Sequence, residues 1–152
     1  MDLRVATPAD APEVHGLLLA AFAPFQGRYT PGCYDATVLD ARRVGDRIAQ
    51  GPVWLVGAGR AVGTLSAVRD ASGVYLRGMA VHPSARRQGA GRALLEAAES
   101  WARGQRAARL WLSTTPFLTG SIALYRAFGF QAADGPADLH GTALRSFEKP
   151  LR

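Results

Sequence analysis

Hydrophobic residues near the N terminus change from the two-residue period of a strand to the period of an α-helix. Residues 3–6 alternate between apolar and polar side chains and predict a first strand. Thr7 is a good N-cap and Pro8 suits a first helical turn, so a helix is predicted to follow. Pro24 is predicted to end it. Its apolar stripe consists of Val14, Leu17, Leu18, Ala21 and Phe22.

A loop, one further helix and three strands are predicted between residues 23 and 81. The loop covers residues 23–32, and Gly51 with Pro52 marks the end of the helix. The weakly periodic face of that helix consists of Tyr34, Val38, Ala41 and Ile48. Glycine-containing turns at residues 57–60 and 70–73 separate the antiparallel strands, which are predicted at residues 53–56, 61–68 and 74–81.

The second half of the chain predicts a strand, a helix and a second strand in succession. Apolar residues recur at helical spacing after residue 90, charged residues occupy the opposite face, and Gly104 is a natural end. A strand at 108–113, a short helix at 120–128 and a final strand at 142–149 follow. Because a strand–helix–strand crossing joins parallel strands, we expect a mixed sheet in one α/β domain, residues 1–152.

Composition excludes several classes of protein. With 48% hydrophobic and 20% charged residues, the chain has the composition of a folded domain, and its apolar run at residues 17–23 is too short to cross a bilayer. We therefore expect a cytoplasmic protein without a membrane partner. Cys33 is the single cysteine and the histidines are scattered, so neither a disulfide nor a metal site is expected. His15 is predicted to face solvent.

The net charge of +6 raises the hypothesis of nucleic-acid binding. The arginines, however, are spread from Arg4 to Arg152, and no motif of aromatic residues among basic ones stands out. Dispersed basic charge indicates non-specific attraction only. Nucleic-acid binding is therefore the weaker alternative.

The segment between the strand at 74–81 and the central helix has the character of an anion site. The first turn of a helix carries N–H groups without intrahelical partners and a partial positive charge. Gly89 and Gly91 lack a Cβ that would block an approaching phosphate, and Arg86, Arg87 and Arg92 add positive charge. A P-loop is excluded because Arg92 and Ala93 follow Gly91, and a dinucleotide fingerprint because its third glycine is replaced by Leu94.

This segment resembles the acyl-CoA-binding segment of the GNAT superfamily of N-acetyltransferases. Arg86, Gly89 and Gly91 match its Arg/Gln-x-x-Gly-x-Gly/Ala signature, and the flanking residues 79–83 and 93–95 are also similar. The resemblance implies a mixed, mostly antiparallel sheet of six to seven strands flanked by about four helices, with splayed central parallel strands. It also implies acetyl-CoA as cofactor, with CoA as product and no metal.

In such a fold the pantetheine arm would lie between the strands ending near Val81 and Ser113, and the diphosphate on the N–H groups of residues 88–92. The 3′-phosphate would meet Arg86 or Arg87. The cofactor-binding residues implied by the resemblance are Met79, Ala80, Val81, Arg86, Arg87, Gln88, Gly89, Ala90, Gly91, Arg92 and Ser121.

A second segment, residues 122–130, is similar to the Leu-Tyr-x-x-x-Gly-Phe segment of the same family. The resemblance makes Tyr125 the catalytic residue, which donates a proton to the departing thiolate; a tyrosine hydroxyl with a pKa near ~10 is protonated at neutral pH. The chain departs from the family at Leu118 and Ser121, where asparagine and alanine are common. Ser121 either replaces a polar contact or caps the helix.

The amine acceptor and the general base are less well defined. By resemblance, the acceptor pocket would be formed by Phe22, Phe25, Tyr29, Tyr34 and Asp35. The glutamate that usually serves as base is absent. The substitutes are Asp35, Asp134, Asp138, His140 or a chain of waters, and the base stays unassigned.

The resulting expectation is transfer of an acetyl group from acetyl-CoA to a primary amine of a small molecule or peptide. The amine would attack directly, through a tetrahedral intermediate. The alternatives are an acyl-CoA-binding module of the same fold without turnover, and a basic nucleic-acid-binding protein. The sequence leaves the oligomeric state open, with a homodimer as one option.

Overall fold

The computed structural model describes all residues, 1–152, and consists of one large sheet with helices on both faces. Three short 3-10 segments, Pro8–Asp10, Ala23–Arg28 and Pro83–Ala85, join the main elements. The helices are α1 (Ala11–Phe22), α2 (Pro31–Thr37), α3 (Ala41–Gln50), α4 (Ala90–Gly104) and α5 (Thr119–Phe128). The strands are β1 (Leu3–Val5), β2 (Val53–Val56), β3 (Gly63–Asp70), β4 (Gly73–Val81), β5 (Arg109–Thr114), β6 (Gln131–Ala133), β7 (Asp138–Leu139), β8 (Thr142–Ala143) and β9 (Arg145–Pro150).

The main sheet has seven strands in the order β1-β2-β3-β4-β5-β9-β6, and β7 pairs with β8 in a separate ribbon. Only β4 and β5 are parallel; every other neighbouring pair is antiparallel. The predicted mixed, mostly antiparallel sheet is therefore confirmed.

The two parallel strands pair over a short distance and then separate. Val74 faces Leu110 and Tyr75 faces Trp111, and no further pairs follow although both strands continue. Beside the gap, β4 carries a bulge: Arg77 faces Ser66 while Ala80 faces Thr64, so β4 has one residue more than β3. A bulge bends its strand, and the bend opens a wedge between β4 and β5.

The core has one part on each face of the sheet. On one face, Leu94, Leu95 and Ala98 of α4 are fully buried against the sheet, as the helical spacing predicts. On the other face, Leu18 of α1 and Val44 of α3 belong to a second buried cluster. None of the helices combines the length and the apolar character needed to span a bilayer.

Four features differ from the sequence-based expectation. The single helix predicted after residue 32 is two helices, because Asp40 caps a new start by accepting a hydrogen bond from the Arg43 backbone N–H at 2.9 Å. The final strand predicted at 142–149 is divided at Leu144, whose N–H donates to the Ala137 carbonyl. The edge strand β6 was not predicted. His15 is half-buried rather than solvent-facing, with Nδ1 2.8 Å from the Leu39 carbonyl oxygen.

Candidate active site

A cavity of about 650 Å³ lies at the wedge between β4 and β5. Both faces of the sheet contribute to it: α1 supplies Phe22 and α4 supplies Gly91. We call it the larger cavity, and its lining is Ala21, Phe22, Phe25, Met79, Ala80, Val81, Ala85, Arg86, Arg87, Gly89, Ala90, Gly91, Arg92, Phe117, Leu118, Thr119, Gly120, Ser121, Ala123 and Leu124. Of the predicted cofactor-binding residues, only Gln88 lies outside this lining; it is exposed and its Nε2 donates to the Ser84 carbonyl at 3.5 Å.

The N terminus of α4 forms one wall of the larger cavity. Gly89 precedes the helix in a left-handed conformation, φ +88°, and its carbonyl accepts the first intrahelical bond, from the Ala93 N–H at 3.0 Å. The N–H groups between them, of Ala90, Gly91 and Arg92, therefore have no intrahelical partner. Arg86, Arg87 and Arg92 line the same wall, and none of them forms an ion pair within the protein.

The absence of a side chain has a different consequence at Gly89 than at Gly91. A Cβ on Gly89 would meet nothing within 4 Å, so an anion has open access there. A Cβ on Gly91 would lie 2.5 Å from Cδ2 of Leu124. Glycine at residue 91 thus permits α5 to pack closely against α4. From the sequence, only a role in phosphate access was predicted for it.

A second helix N terminus lines the larger cavity. Thr119, Gly120 and Ser121 form the first turn of α5, and their N–H groups precede the first intrahelical bond, from Ile122 to the Leu118 carbonyl. The side chain of Leu118 cannot cap the helix. Of these three residues, only Ser121 was predicted to bind the cofactor. The signal for the others was the predicted start of the helix, because unpaired N–H groups always lie in a first turn.

A smaller cavity of about 320 Å³ adjoins the larger one and shares Phe22, Met79, Leu118 and Ser121 with it. Its further lining comes from α2, α3, β4, β5, α5 and the β7–β8 ribbon: Tyr29, Cys33, Ala36, Thr37, Arg47, Leu65, Tyr75, Leu76, Arg77, Gly78, Leu112, Ser113, Thr114, Thr115, Tyr125, Leu139 and Leu144. We call it the smaller cavity. Arg47, Arg77 and Leu139 were not predicted as site residues.

Tyr125 lines the smaller cavity and is only 5% exposed. Burial raises the pKa of its hydroxyl well above the ordinary value of 10.0. Burial likewise raises the pKa of Tyr29 to about 12. Both hydroxyls are therefore protonated at neutral pH and can donate hydrogen bonds into the cavity.

The five predicted acceptor residues are divided by the fold. Phe22 lines both cavities, Phe25 the larger and Tyr29 the smaller. Tyr34 lines neither cavity and packs on the ring of Tyr29, with centroids 5.8 Å apart. Asp35 also lines neither: its side chain is 71% exposed and forms an ion pair with Arg43 at 3.0 Å.

Neither cavity is lined by an aspartate, a glutamate or a histidine. The proposed substitutes for the base, Asp35, Asp134, Asp138 and His140, all lie outside both linings. Asp138 instead accepts a hydrogen bond from the Gly141 N–H at 2.7 Å, which holds the ribbon turn. The cavities therefore present donors and cations but no carboxylate or imidazole base.

The β7–β8 ribbon closes the smaller cavity on one side through Leu139. Thr30, at the start of α2, holds the ribbon: its Oγ1 donates to the His140 carbonyl at 2.7 Å, and its N–H donates to Thr142 Oγ1 at 2.9 Å. The turn residues from Asp138 to Gly141 were the available sequence signal for this ribbon.

Comparison with known proteins agrees with this geometry. Residues 15–130 match the family model described as Acetyltransferase (GNAT) family. A curated relative, aminoglycoside N(6′)-acetyltransferase type 1 of Klebsiella aerogenes, is 39% identical over 77 residues, which are 51% of this chain and 45% of that protein. The matched part is thus less than half the length of the relative.

Solved structures share the fold over nearly the whole chain. A GNAT-family acetyltransferase of Staphylococcus aureus Mu50 has a TM-score of 0.83 at 17% identity, covering 99% of each chain. The PaiA N-acetyltransferase of Thermoplasma acidophilum, solved in complex with coenzyme A, has a TM-score of 0.83 at 13% identity over 99% of each chain. At these identities the likeness is one of fold.

Proposed function

The chain belongs to the acetyltransferase (GNAT) family, and from that premise we propose that it transfers the acetyl group of acetyl-CoA to a primary amine of a small molecule or peptide. The observation that carries the proposal is the pair of joined cavities at the wedge between β4 and β5. The larger one is suited to a phosphorylated carrier, and the smaller one ends on the protonated hydroxyl of Tyr125.

The larger cavity fits the carrier in shape and in charge. Two helix N termini and three arginines, Arg86, Arg87 and Arg92, line it, and no acidic side chain does. The main chain of residues 79–81 runs along the wedge, where it can pair with amides as an added strand would. Each charged hydrogen bond contributes about 1.5–3 kcal/mol, so a few of them can supply most of the affinity.

Tyr125 is the residue that we propose for proton donation. When bound, the carrier supplies an activated thioester, and its departure as a thiolate requires a proton. The Tyr125 hydroxyl stays protonated because burial raises its pKa, and it lies on α5, whose first turn lines the larger cavity. Ser121, one turn earlier on α5, lines both cavities, and this supports proton delivery from α5.

The absence of a base restricts the acceptor. A lysine-like amine with a pKa of ~10.4 is neutral in only about one molecule in a few thousand at pH 7. An α-amine with a pKa near ~8 is neutral in roughly a tenth of its molecules. We therefore propose that the acceptor is an amine whose pKa is low in the site, so that it loses its proton to solvent before it reacts.

The aminoglycoside named for the Klebsiella aerogenes relative does not suit the smaller cavity. Such an acceptor carries several ammonium groups, whereas the cavity presents Arg47 and Arg77 and no carboxylate. Like charges in a partly buried site repel. An aminoglycoside is therefore not the acceptor that we propose for this chain.

Binding and turnover test the proposal separately. Acetyl-CoA at a hundred times its Kd should raise the free energy of unfolding by about 2.7 kcal/mol, measured by thermal or urea denaturation. Release of the CoA thiol in the presence of an amine panel should then report turnover. Binding without release from any amine would indicate the non-catalytic acyl-CoA module, and no stabilisation would reject both. The single-domain organisation, cytoplasmic location and homodimer stay predictions.

A further inference from the structure

Two arginines lie near each other in the wall of the smaller cavity. Arg47 comes from α3 and Arg77 from β4, and both are half-buried. Nη1 of Arg47 lies 2.8 Å from the point where a Cβ on Gly78 would stand. Gly78 occupies the bulge of β4 with φ +68°. Because residue 78 has no side chain, there is room beside β4 for the Arg47 guanidinium.

Neither arginine has an anionic partner. The ion pairs of the protein engage other basic residues, and neither Arg47 nor Arg77 takes part in one. Arg77 donates from Nη2 to Oε1 of Gln50, a neutral group, while its Nε is buried without a hydrogen-bond partner. The wall therefore carries two positive charges and at least one unused donor.

This arrangement is costly for the protein alone. A buried donor without a partner costs about 1–3 kcal/mol, and two close cations repel each other. Burial, with the neighbouring Arg77 charge, lowers the pKa of Arg47 to about 10, so it still carries its charge at neutral pH. An anion placed between the guanidinium groups would offset the repulsion between them. Arginine is the side chain best suited to hold such a group, because its planar fork matches carboxylate and phosphate oxygens.

We propose that the acceptor amine carries an anionic group, a carboxylate or a phosphate, which Arg47 and Arg77 bind in the smaller cavity. This inference rests on the proposed acetyltransferase function and specifies its substrate class. Acceptors of this class include free amino acids and phosphorylated amines.

The same two charges account for the missing base. Positive charge near an ammonium group disfavours its protonated form and lowers its pKa. The acceptor's own anionic group raises the pKa of its amine in water, and two guanidinium groups that pair with this anion offset that rise, so the bound amine loses its proton more readily than the free acceptor does. The pair thus selects the acceptor and promotes the neutral form that attacks.

Matched pairs of acceptors test the inference with the intact protein and acetyl-CoA. The pairs are leucine with leucinamide, phenylalanine with phenylalaninamide, and phosphoethanolamine with ethanolamine. We expect kcat/KM, measured by thiol release and expressed per concentration of neutral amine, to be at least about tenfold higher for the anionic member of one or more pairs, as one charged hydrogen bond provides. The first two pairs report on a carboxylate and the third on a phosphate. Equal kcat/KM values within all pairs would overturn the inference while leaving the acetyltransferase function intact.

Variants identify the residues responsible. Arg47→Met and Arg77→Met should each remove most of the preference within a pair. Gly78→Ala should also reduce the preference, because the added Cβ would lie 2.8 Å from Nη1 of Arg47 and force the guanidinium to shift. The matched control is Arg42→Met on the same helix, where the side chain is 80% exposed, and it should keep the preference. A preference that survives both methionine variants would reject the assignment.

Product binding gives a readout that does not depend on turnover. In calorimetry with CoA present, N-acetylleucine should bind at least about tenfold more tightly than N-acetylleucinamide, and Arg77→Met should abolish the difference. If no amine is acetylated but this difference is found, the proposed function fails and the anion site stands. The acetylated products of the other two pairs are compared in the same way, and equal affinities within all three pairs would refute the anion site whatever the catalytic result.

Discussion

At the scale of single residues, Tyr125 and Gly89 have the most clearly separable roles. Tyr125 is a buried donor in the smaller cavity, and Gly89 is an open, left-handed position at the mouth of α4. One belongs to the proposed chemistry and the other to carrier binding. Substitutions at the two positions should therefore affect different measured constants.

Tyr125→Phe should lower kcat by about tenfold or more while leaving the Kd of acetyl-CoA within about twofold, because it removes a proton donor and keeps the ring. Steady-state kinetics and calorimetry on the same preparation measure the two constants. The unchanged Kd serves as the control for folding. A variant that retains full kcat would show that the proton comes from elsewhere.

Gly89→Glu should weaken acetyl-CoA binding by at least about tenfold, since it places a negative charge beside the first turn of α4. Backbone strain at φ +88° is a separate effect, and Gly89→Asn controls for it because asparagine tolerates the left-handed region. Calorimetry with both variants should show loss of binding for glutamate and near-normal binding for asparagine. Equal losses would assign the effect to strain rather than to charge.

At the scale of elements, the position of α4 on the sheet is fixed by a charged contact as well as by its apolar face. Glu99 of α4 accepts hydrogen bonds from Lys149 of β9 and from Arg103. Burial pushes the pKa of Glu99 upward, but these two donors outweigh it, and the pKa is lowered. The contact therefore stabilises the folded chain when Glu99 is ionised.

Glu99→Gln should reduce the free energy of unfolding by about 1 kcal/mol at pH 7. Because the folded-state pKa of Glu99 is depressed, its contribution is complete above the unfolded value near ~4.3 and is lost as the pH falls through the folded value. Urea denaturation of wild type and variant from pH 7 to pH 3 should show the difference shrinking with acid. Glu96→Gln, exposed on the same helix and without an ion pair, should show no such trend.

At the scale of the whole molecule, the site is made by the convergence of two helix N termini on one wedge. The first turns of α4 and α5 belong to distant parts of the sequence, yet both line the larger cavity. They meet because β5 lies between them in the chain and beside β4 in the sheet. The absence of a side chain at Gly91 then lets α5 pack against α4.

Acetyl-CoA should therefore protect both first turns from hydrogen exchange at once. We expect slower exchange of the backbone amides of residues 90–92 and 119–121 on binding, because these N–H groups have no intrahelical partner in the free protein. Amides of α3, which does not line the larger cavity, provide the internal control. Protection confined to α4 would show that α5 takes no part in binding.

Local sequence patterns were enough to predict most of the elements and to indicate an anion site at the start of α4. Apolar period, capping residues and glycine turns act within a few residues, so α1, α4 and the strands β2 to β5 lie close to their predicted positions. The mixed sheet followed from the strand–helix–strand order. The resemblance of the segments around Gly89 and Tyr125 then indicated the family.

Contacts between residues far apart in the sequence depend on tertiary packing. It turned Asp35 outward to Arg43, placed the β7–β8 ribbon against α2, and brought Arg47 and Arg77 to one cavity wall without a counter-charge. These outcomes depend on strand pairing, on the bulge at Gly78 and on helix packing between residues far apart in sequence. No local pattern encodes such contacts, because the free energy that selects them is gained only when the whole sheet has formed.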